Sequence, residues 1–216
     1  GPGKAEDIKA ILNRIYAYLN FSTPAKVIDS KSKNEITDIT KLTGDALFEP
    51  GIFRLISYEW GVTYGAMLLA GEATGDDKFT DYTLKRMALI ANVAKYFRAN
   101  SPAGQGRNNP VGSVLDPRAL DDAGSMCAAM IKSFNTNRNL VLRPYIDNYI
   151  DYISKKQLRL QDGTLARNRP QPNTLWLDDL YMSVPALAQM GKLTGSNGYF
   201  EDACRQVIQF SQRMFN

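Results

Sequence analysis

The chain of 216 residues is 44% hydrophobic and 22% charged, enough apolar material for a sizeable core and too little polar bias for disorder. Its net charge is +4 with the signs interspersed and no basic run longer than Lys155-Lys156, so it carries no nucleic-acid footprint, although an anionic small substrate would suit it. It has no histidine and two cysteines, Cys127 and Cys204, which excludes a His general base, a Ser-His-Asp or Cys-His triad, a His-ligated or four-cysteine zinc and a CxxC redox pair. Acid–base chemistry then falls to Asp, Glu, Tyr or Lys, and neither a metal nor another cofactor is expected. Both thiols sit in apolar helical contexts and are expected to be buried and free. No run approaches the ~18 apolar residues of a membrane helix, so no membrane partner is expected. Gly1-Pro2-Gly3 reads as an expression remnant or a processed start.

Helical periodicity dominates from the first residues. Ile8, Ile11, Leu12, Ile15, Tyr16 and Leu19 recur at helical spacing and predict an amphipathic helix over 5–19. Residues 21–51 are polar and broken by Ser22-Thr23-Pro24 and Glu49-Pro50-Gly51, so they read as an irregular connection with at most a short turn of helix. Further helices are predicted over 53–73, 77–99, 120–134, 139–156, 178–193 and 199–214, with a Gly/Pro/Asn-rich loop at 101–118. No segment alternates with period 2, so the chain reads as all-α.

Three of the helices share a small-residue, Met-bearing pattern. These are Gly65-Ala66-Met67-Leu68-Leu69-Ala70, Gly124-Ser125-Met126-Cys127-Ala128-Ala129-Met130 and Met182-Ser183-Val184-Pro185-Ala186-Leu187-Ala188. Each leads into a turn, at Thr74-Gly75-Asp76, Asn135-Thr136-Asn137 and Thr194-Gly195-Ser196, and then into a more charged helix. A period of about 60 residues predicts an array of helical hairpins. In each, the small-residue helix is packed on all sides and the charged one faces solvent; such arrays form solenoids or α/α toroids. An ordinary helical bundle is the alternative.

Acids gather where the small-residue helices begin: Glu59, then Asp121-Asp122, then Asp178-Asp179. An Asp at a helix start is an ordinary N-cap, which accounts for one member of each pair. Adjacent residues on a helix point in different directions, so the second member is left over. The two tryptophans, Trp60 and Trp176, flank these acids together with Tyr58 and Tyr181. Acids and aromatic faces at one rim suit a carbohydrate cleft, with core packing as the alternative for the tryptophans.

The stretch Trp176-Leu177-Asp178-Asp179-Leu180-Tyr181-Met182 resembles the W-x-D-x-L-[YF]-M signature of glycoside hydrolase family 105, the unsaturated rhamnogalacturonyl hydrolases, which are related to the unsaturated glucuronyl hydrolases of family 88. Tyr58-Glu59-Trp60-Gly61-Val62 and Leu120-Asp121-Asp122-Ala123-Gly124 resemble its first inner helix and second acidic motif. The resemblance runs from about residue 50 to the end and implies an (α/α)6 barrel. It also implies removal of a Δ4,5-unsaturated uronic acid from lyase-generated oligosaccharides. An Asp protonates the double bond and serves as base for water, and hydration at the fifth carbon gives a hemiketal that opens and releases the sugar. By position Asp178 matches the acid/base, which must stay protonated near neutral pH, as a partly apolar rim between Trp176 and Tyr181 would favour. Asp179 is then the cap. Asp121 matches the second acid, with Asp122 as fallback, and Trp60, Trp176 and Tyr181 match rim or sugar-contacting residues. Arg167, where some relatives carry a histidine, could pair with the uronate carboxylate or could be a solvated loop residue; Arg169 is a weaker competitor.

A twelve-helix barrel exceeds the seven helices expected here, so residues 1–216 are expected to form the N-terminal part of a longer toroid. The family occurs in polysaccharide-degrading bacteria. A periplasmic or secreted location is expected, with the cytoplasm as the alternative. Other readings are a non-catalytic helical-repeat module that binds carbohydrate or acts as a scaffold, its acids serving only as caps, and another toroid enzyme such as a lyase or epimerase, against which the missing histidines count. If the enzymatic reading holds, Asp178, Asp121 and Trp60 should share one open cleft of ~300 Å³ or more.

Overall fold

The computed structural model describes residues 3–100 and 109–214, most of them helical. Two compact units are formed, one from Gly1–Leu55 with Thr63–Gly112 and the other from Ile56–Val62 with Ser113–Asn216. None of the described helices is long and apolar enough to cross a membrane.

The first unit begins with α1 (Ala5–Ser22), whose apolar stripe packs along one edge only. Leu12, Tyr16 and Leu19 are half-buried, with Tyr16 edge-on to Phe79 and Tyr82 at 5.7 and 6.2 Å, whereas Ile8, Ile11 and Ile15 are exposed. The segment 21–51 holds more order than its composition suggests. Besides a 3-10 turn at Ile39–Lys41 it forms a two-stranded antiparallel sheet of β1 (Val27–Asp29) and β2 (Ala46–Phe48), with Val27 opposite Phe48. Three-residue strands are too short to display an alternation; burial of Val27, Ile28 and Ala46 holds them.

The helices α2 (Tyr58–Thr74) and α3 (Asp77–Asn100) make the first hairpin, the initial turn of α2 belonging to the second unit. The expected division of labour between the two helices is not seen here, because both are amphipathic. The charged α3 buries Phe79, Tyr82, Met87, Ile90, Val93 and Phe97, and α2 buries Trp60, Tyr64, Met67 and Leu68 but exposes Ala66 and Leu69. Arg86 of α3 is fully buried, stacks 3.6 Å from the Tyr82 ring and donates to the Thr23 carbonyl at 2.7 Å, which ties the end of α1 to α3.

In the second unit, the expected 101–118 loop has its first eight residues outside the described ones and continues in a short helix α4 (Gly112–Leu115). There follow α5 (Leu120–Thr136), α6 (Arg143–Asp151), α7 (Asp178–Thr194) and α8 (Asn197–Met214). The helix expected over 139–156 starts later, at Pro144 in its first turn, and changes at its end into a π turn, Tyr152–Lys156, in which the Gln157 amide reaches back to the Tyr152 carbonyl at 2.8 Å.

Small residues let the second unit's elements approach closely. A Cβ on Gly124 of α5 would stand 1.6 Å from the Met182 carbonyl oxygen of α7, and one on Gly61 would stand 2.4 Å from Ser125 Oγ. The turns at 74–76 and 194–196 repeat atom for atom. Gly75 and Gly195 take left-handed φ values of 69° and 72° and donate to Gly71 and Gly191, at 2.8 Å each. Thr74 and Thr194 return their hydroxyls to Ala70 and Met190 at 2.6 and 2.7 Å. The middle turn differs, since Asn137 is extended.

Both cysteines are free. Cys127 is buried as expected, and burial pushes its thiol far up. Cys204, also expected to be buried, is exposed. On α8 the inward positions are Ala203, Gln206 and Phe210, which turns Cys204 outward beside the exposed Val207 and Ile208.

Candidate active site

The site is built at the start of α5 and α7, with one loop arginine at its centre. Residues 157–177 leave the π turn and fold back on themselves: Ala166 N–H donates to the Leu158 carbonyl at 3.0 Å, and Arg167 and Thr174 exchange both backbone hydrogen bonds at 2.9 Å. This pinch fixes the backbone of Arg167, whose side chain is 8% exposed.

Three carboxylates surround that guanidinium. Nε donates to both oxygens of Asp179, at 3.1 and 3.0 Å, and Nη2 donates to Asp179 Oδ1 at 2.6 Å. Nη1 donates to Asp121 Oδ2 at 3.2 Å, and Nη2 makes a further, shorter bond to Asp121 Oδ1. Asp178 Oδ2 lies 3.4 Å from Nη2. Trp176 covers the group from one side, its ring centroid 4.5 Å from the guanidinium carbon.

The three acids differ in access. The Asp179 side chain is fully buried, that of Asp121 is 20% exposed and that of Asp178 is 49% exposed. Burial pushes the Asp179 carboxyl above its ordinary value, the hydrogen bonds and charge of Arg167 draw it back down, and Asp178 and Asp121 add to the rise. Asp178 and Tyr181 stand three residues apart on α7 and share a face, with Trp176 and Tyr181 both open to solvent.

These positions answer the expectations one by one. Asp178 and Asp121 are brought together, through Arg167. Asp179, expected as the helix cap, instead turns inward to Arg167; α7 opens with a 3-10 bond from the Asp179 amide to the Trp176 carbonyl at 3.0 Å, and Asp179 stands two residues past the cap position, Leu177. Asp122 is the member of its pair that caps a helix, though not its own: its carboxylate accepts from the Tyr58 amide at the start of α2, at 2.8 Å. Trp60 is 3% exposed and offers no ring face to a ligand, so it does not share an open cleft with the acids. The donors of Arg167 go to carboxylates of the protein itself.

Asp121 and Arg167 also line a cleft of about 360 Å³ whose other walls include Arg118, Tyr152, Lys156 and Arg169. Of these, only Arg169 attracts notice in the sequence. The others lie on two segments, Arg118 before α5 and Tyr152 with Lys156 on the π turn, and no local spacing links the two. Among the described residues no group of acids and cysteines is arranged to hold a metal ion.

The family model for glycosyl hydrolase family 88 matches residues 25–216. A solved structure described as a possible member of the GH105 family from Klebsiella pneumoniae subsp. pneumoniae MGH 78578 superposes on all of this chain with a TM-score of 0.63 at 15% identity. The chain spans 50% of that protein's length. At that identity the likeness speaks for the fold, and it is the α/α-toroid class that the family resemblance implied. No curated protein matches the chain.

Proposed function

The chain belongs to glycoside hydrolase family 88, and from that premise we propose that it removes a Δ4,5-unsaturated uronic acid from the non-reducing end of lyase-generated oligosaccharides, with Asp178 as acid and base. The observation that supports this most is the grading of access around Arg167: one guanidinium gathers three carboxylates, and Asp178 is the most open of them.

In this reading each residue has a separate task. Asp179 and Asp121 saturate the inner edges of the guanidinium and so fix it. Arg167 in turn steadies one oxygen of Asp178 and leaves the other free. Trp176 and Tyr181 offer ring faces on which a sugar can stack beside Asp178. A proton passes from Asp178 to the fourth carbon of the uronate, which places positive charge on the fifth carbon beside the ring oxygen. The carboxylate so formed takes a proton from water as the water oxygen bonds to that carbon. Asp178 regains its proton, and the hemiketal opens to release the second sugar. A two-carboxylate displacement is not needed, and no step calls for histidine.

The test is the absorbance of the conjugated uronate when the protein meets unsaturated disaccharides. The expected result is loss of that absorbance, abolished in Asp178→Asn while the variant melts like the parent. No turnover by the parent, or full turnover by the variant, refutes the assignment. An Asp178→Asn variant that loses stability and not turnover would return the acids to a purely structural role.

A further inference from the structure

The cleft beside the acid cluster has a charge pattern that the reaction at Asp178 does not use. Among the described residues lining it, Arg118, Lys156 and Arg169 join Arg167 against the carboxylate of Asp121. The guanidinium of Arg167 is taken up by its acids, but the other three cations are available. Arg118 and Lys156 are held only in solvent-open pairs with Asp116 and Asp151, their side chains 55% and 61% exposed. Such solvent-open pairs contribute little and yield to a better acceptor. Arg169 is exposed and is paired with no carboxylate among the described residues.

The wall that carries these cations is held by hydrogen bonds. The Gln157 side chain donates to the Ala166 carbonyl at 2.7 Å and accepts from the Tyr152 hydroxyl at 2.9 Å, locking the π turn to the segment that leads into Arg167. The Arg167–Thr174 pinch then sets where Arg169 leaves the wall. Burial pushes the Tyr152 phenol up, Asp121 adds to the rise, and the charge of Arg169 draws it down, as expected for a cation close to this wall.

Asp178 does not line the cleft, which adjoins the acid cluster through Asp121 and Arg167. Three carboxylates around one guanidinium also leave the cluster net negative, which turns further anionic groups of a ligand toward the cationic wall. We propose that this cleft is an anion subsite for a second acidic group of the oligosaccharide, a uronate carboxylate or a sulfate ester on the neighbouring sugar. The assignment to the neighbouring sugar rests on the reading of Asp178 given above; the anion site itself does not. Planar guanidinium forks on Arg118 and Arg169 match both oxyanions, and Lys156 supplies a point charge.

The experiment uses the Lys156→Gln/Arg169→Gln double variant, which leaves Arg167 and all three acids in place. Binding of inorganic sulfate and of saturated digalacturonate is measured by calorimetry, beside a neutral disaccharide. The expected result is a dissociation constant raised about tenfold for at least one anion in the variant, with the neutral sugar unaffected; the anion that responds more identifies carboxylate or sulfate as the natural group. With unsaturated disaccharides, KM should rise about tenfold when the second sugar is acidic and stay within about twofold when it is neutral, kcat being unchanged in both. Anion binding that is equal in parent and variant overturns the proposal, as does a KM change of equal size for acidic and neutral substrates. If the parent turns over no substrate but binds an anion through Lys156 and Arg169, the Asp178 reading falls and the anion subsite stands.

Discussion

Replacing Arg167 by Leu removes the one cation that three carboxylates share. Its side chain is 8% exposed and that of Asp179 is fully buried, so the variant leaves a carboxylate in the interior with its main donor gone. Breaking a buried pair from one side costs about 3–5 kcal/mol, and that is the loss expected near neutral pH. The loss must depend on pH, with a sign that the structure fixes. Burial holds the Asp179 carboxyl above its ordinary value and Arg167 pulls it down, so without Arg167 it rises further. A folded-state value above the unfolded one means that the folded chain keeps the proton to higher pH. The penalty is absent below the ordinary carboxylate value and grows as pH climbs through the folded value. The difference in unfolding free energy between parent and Arg167→Leu should therefore be full at about pH 7 and shrink toward about pH 4, as urea titrations followed by circular dichroism would show. Adding Asp179→Asn to the variant should restore most of the loss near neutral pH, and Arg167→Lys, which keeps the charge without the fork, should fall between. A loss under about 1 kcal/mol at about pH 7, or one that grows as pH falls, would show that Arg167 is not the centre of the cluster.

Two further variants probe the packing of the second unit. Gly124→Ala places a methyl where the Met182 carbonyl stands, so α5 and α7 must separate; a loss of about 3 kcal/mol is expected in urea midpoints, and a loss under about 0.5 kcal/mol would mean that the helices are not in contact there. The Tyr149 hydroxyl is buried with no hydrogen-bond partner among the described residues, so Tyr149→Phe should be neutral or stabilising, and a cost above about 1 kcal/mol would reveal a partner.

The helical hairpins were legible because their signals are local. Glycines at 75 and 195 stop α2 and α7 in the same left-handed geometry, and the apolar periods between them are long. What was not legible depends on contacts distant in sequence. The strands of the β1–β2 sheet are three residues long, and their pairing joins positions about twenty residues apart. The exposure of Cys204 depends on which face of α8 meets its neighbour, and an apolar stretch with Val207 and Ile208 outside the core conceals that choice. Trp60 shows the same limit at the site: its position beside an acid suggested a rim, and its burial was set by packing that the motif does not encode.

The paired acids carry the argument furthest. Successive residues at a helix start point in different directions, so each pair must split its duties, and capping was the duty that residue type alone suggested. Asp121-Asp122 divides as expected in kind, with Asp121 at the cluster and Asp122 capping, although the capped helix is α2. In Asp178-Asp179 the inner member does something else, because a guanidinium arrives from a loop twelve residues upstream and occupies the space beneath α7. The choice of arginine follows from geometry. An ammonium offers three donors from one point, whereas the planar fork presents Nε and Nη2 to Asp179 and both terminal nitrogens to Asp121, two acids on two helices served along separate edges. A neutral imidazole would bring one N–H and no charge and would leave the buried Asp179 without compensation. With Arg167 in that place the inner acids are satisfied by the protein, and Asp178 stays open to solvent.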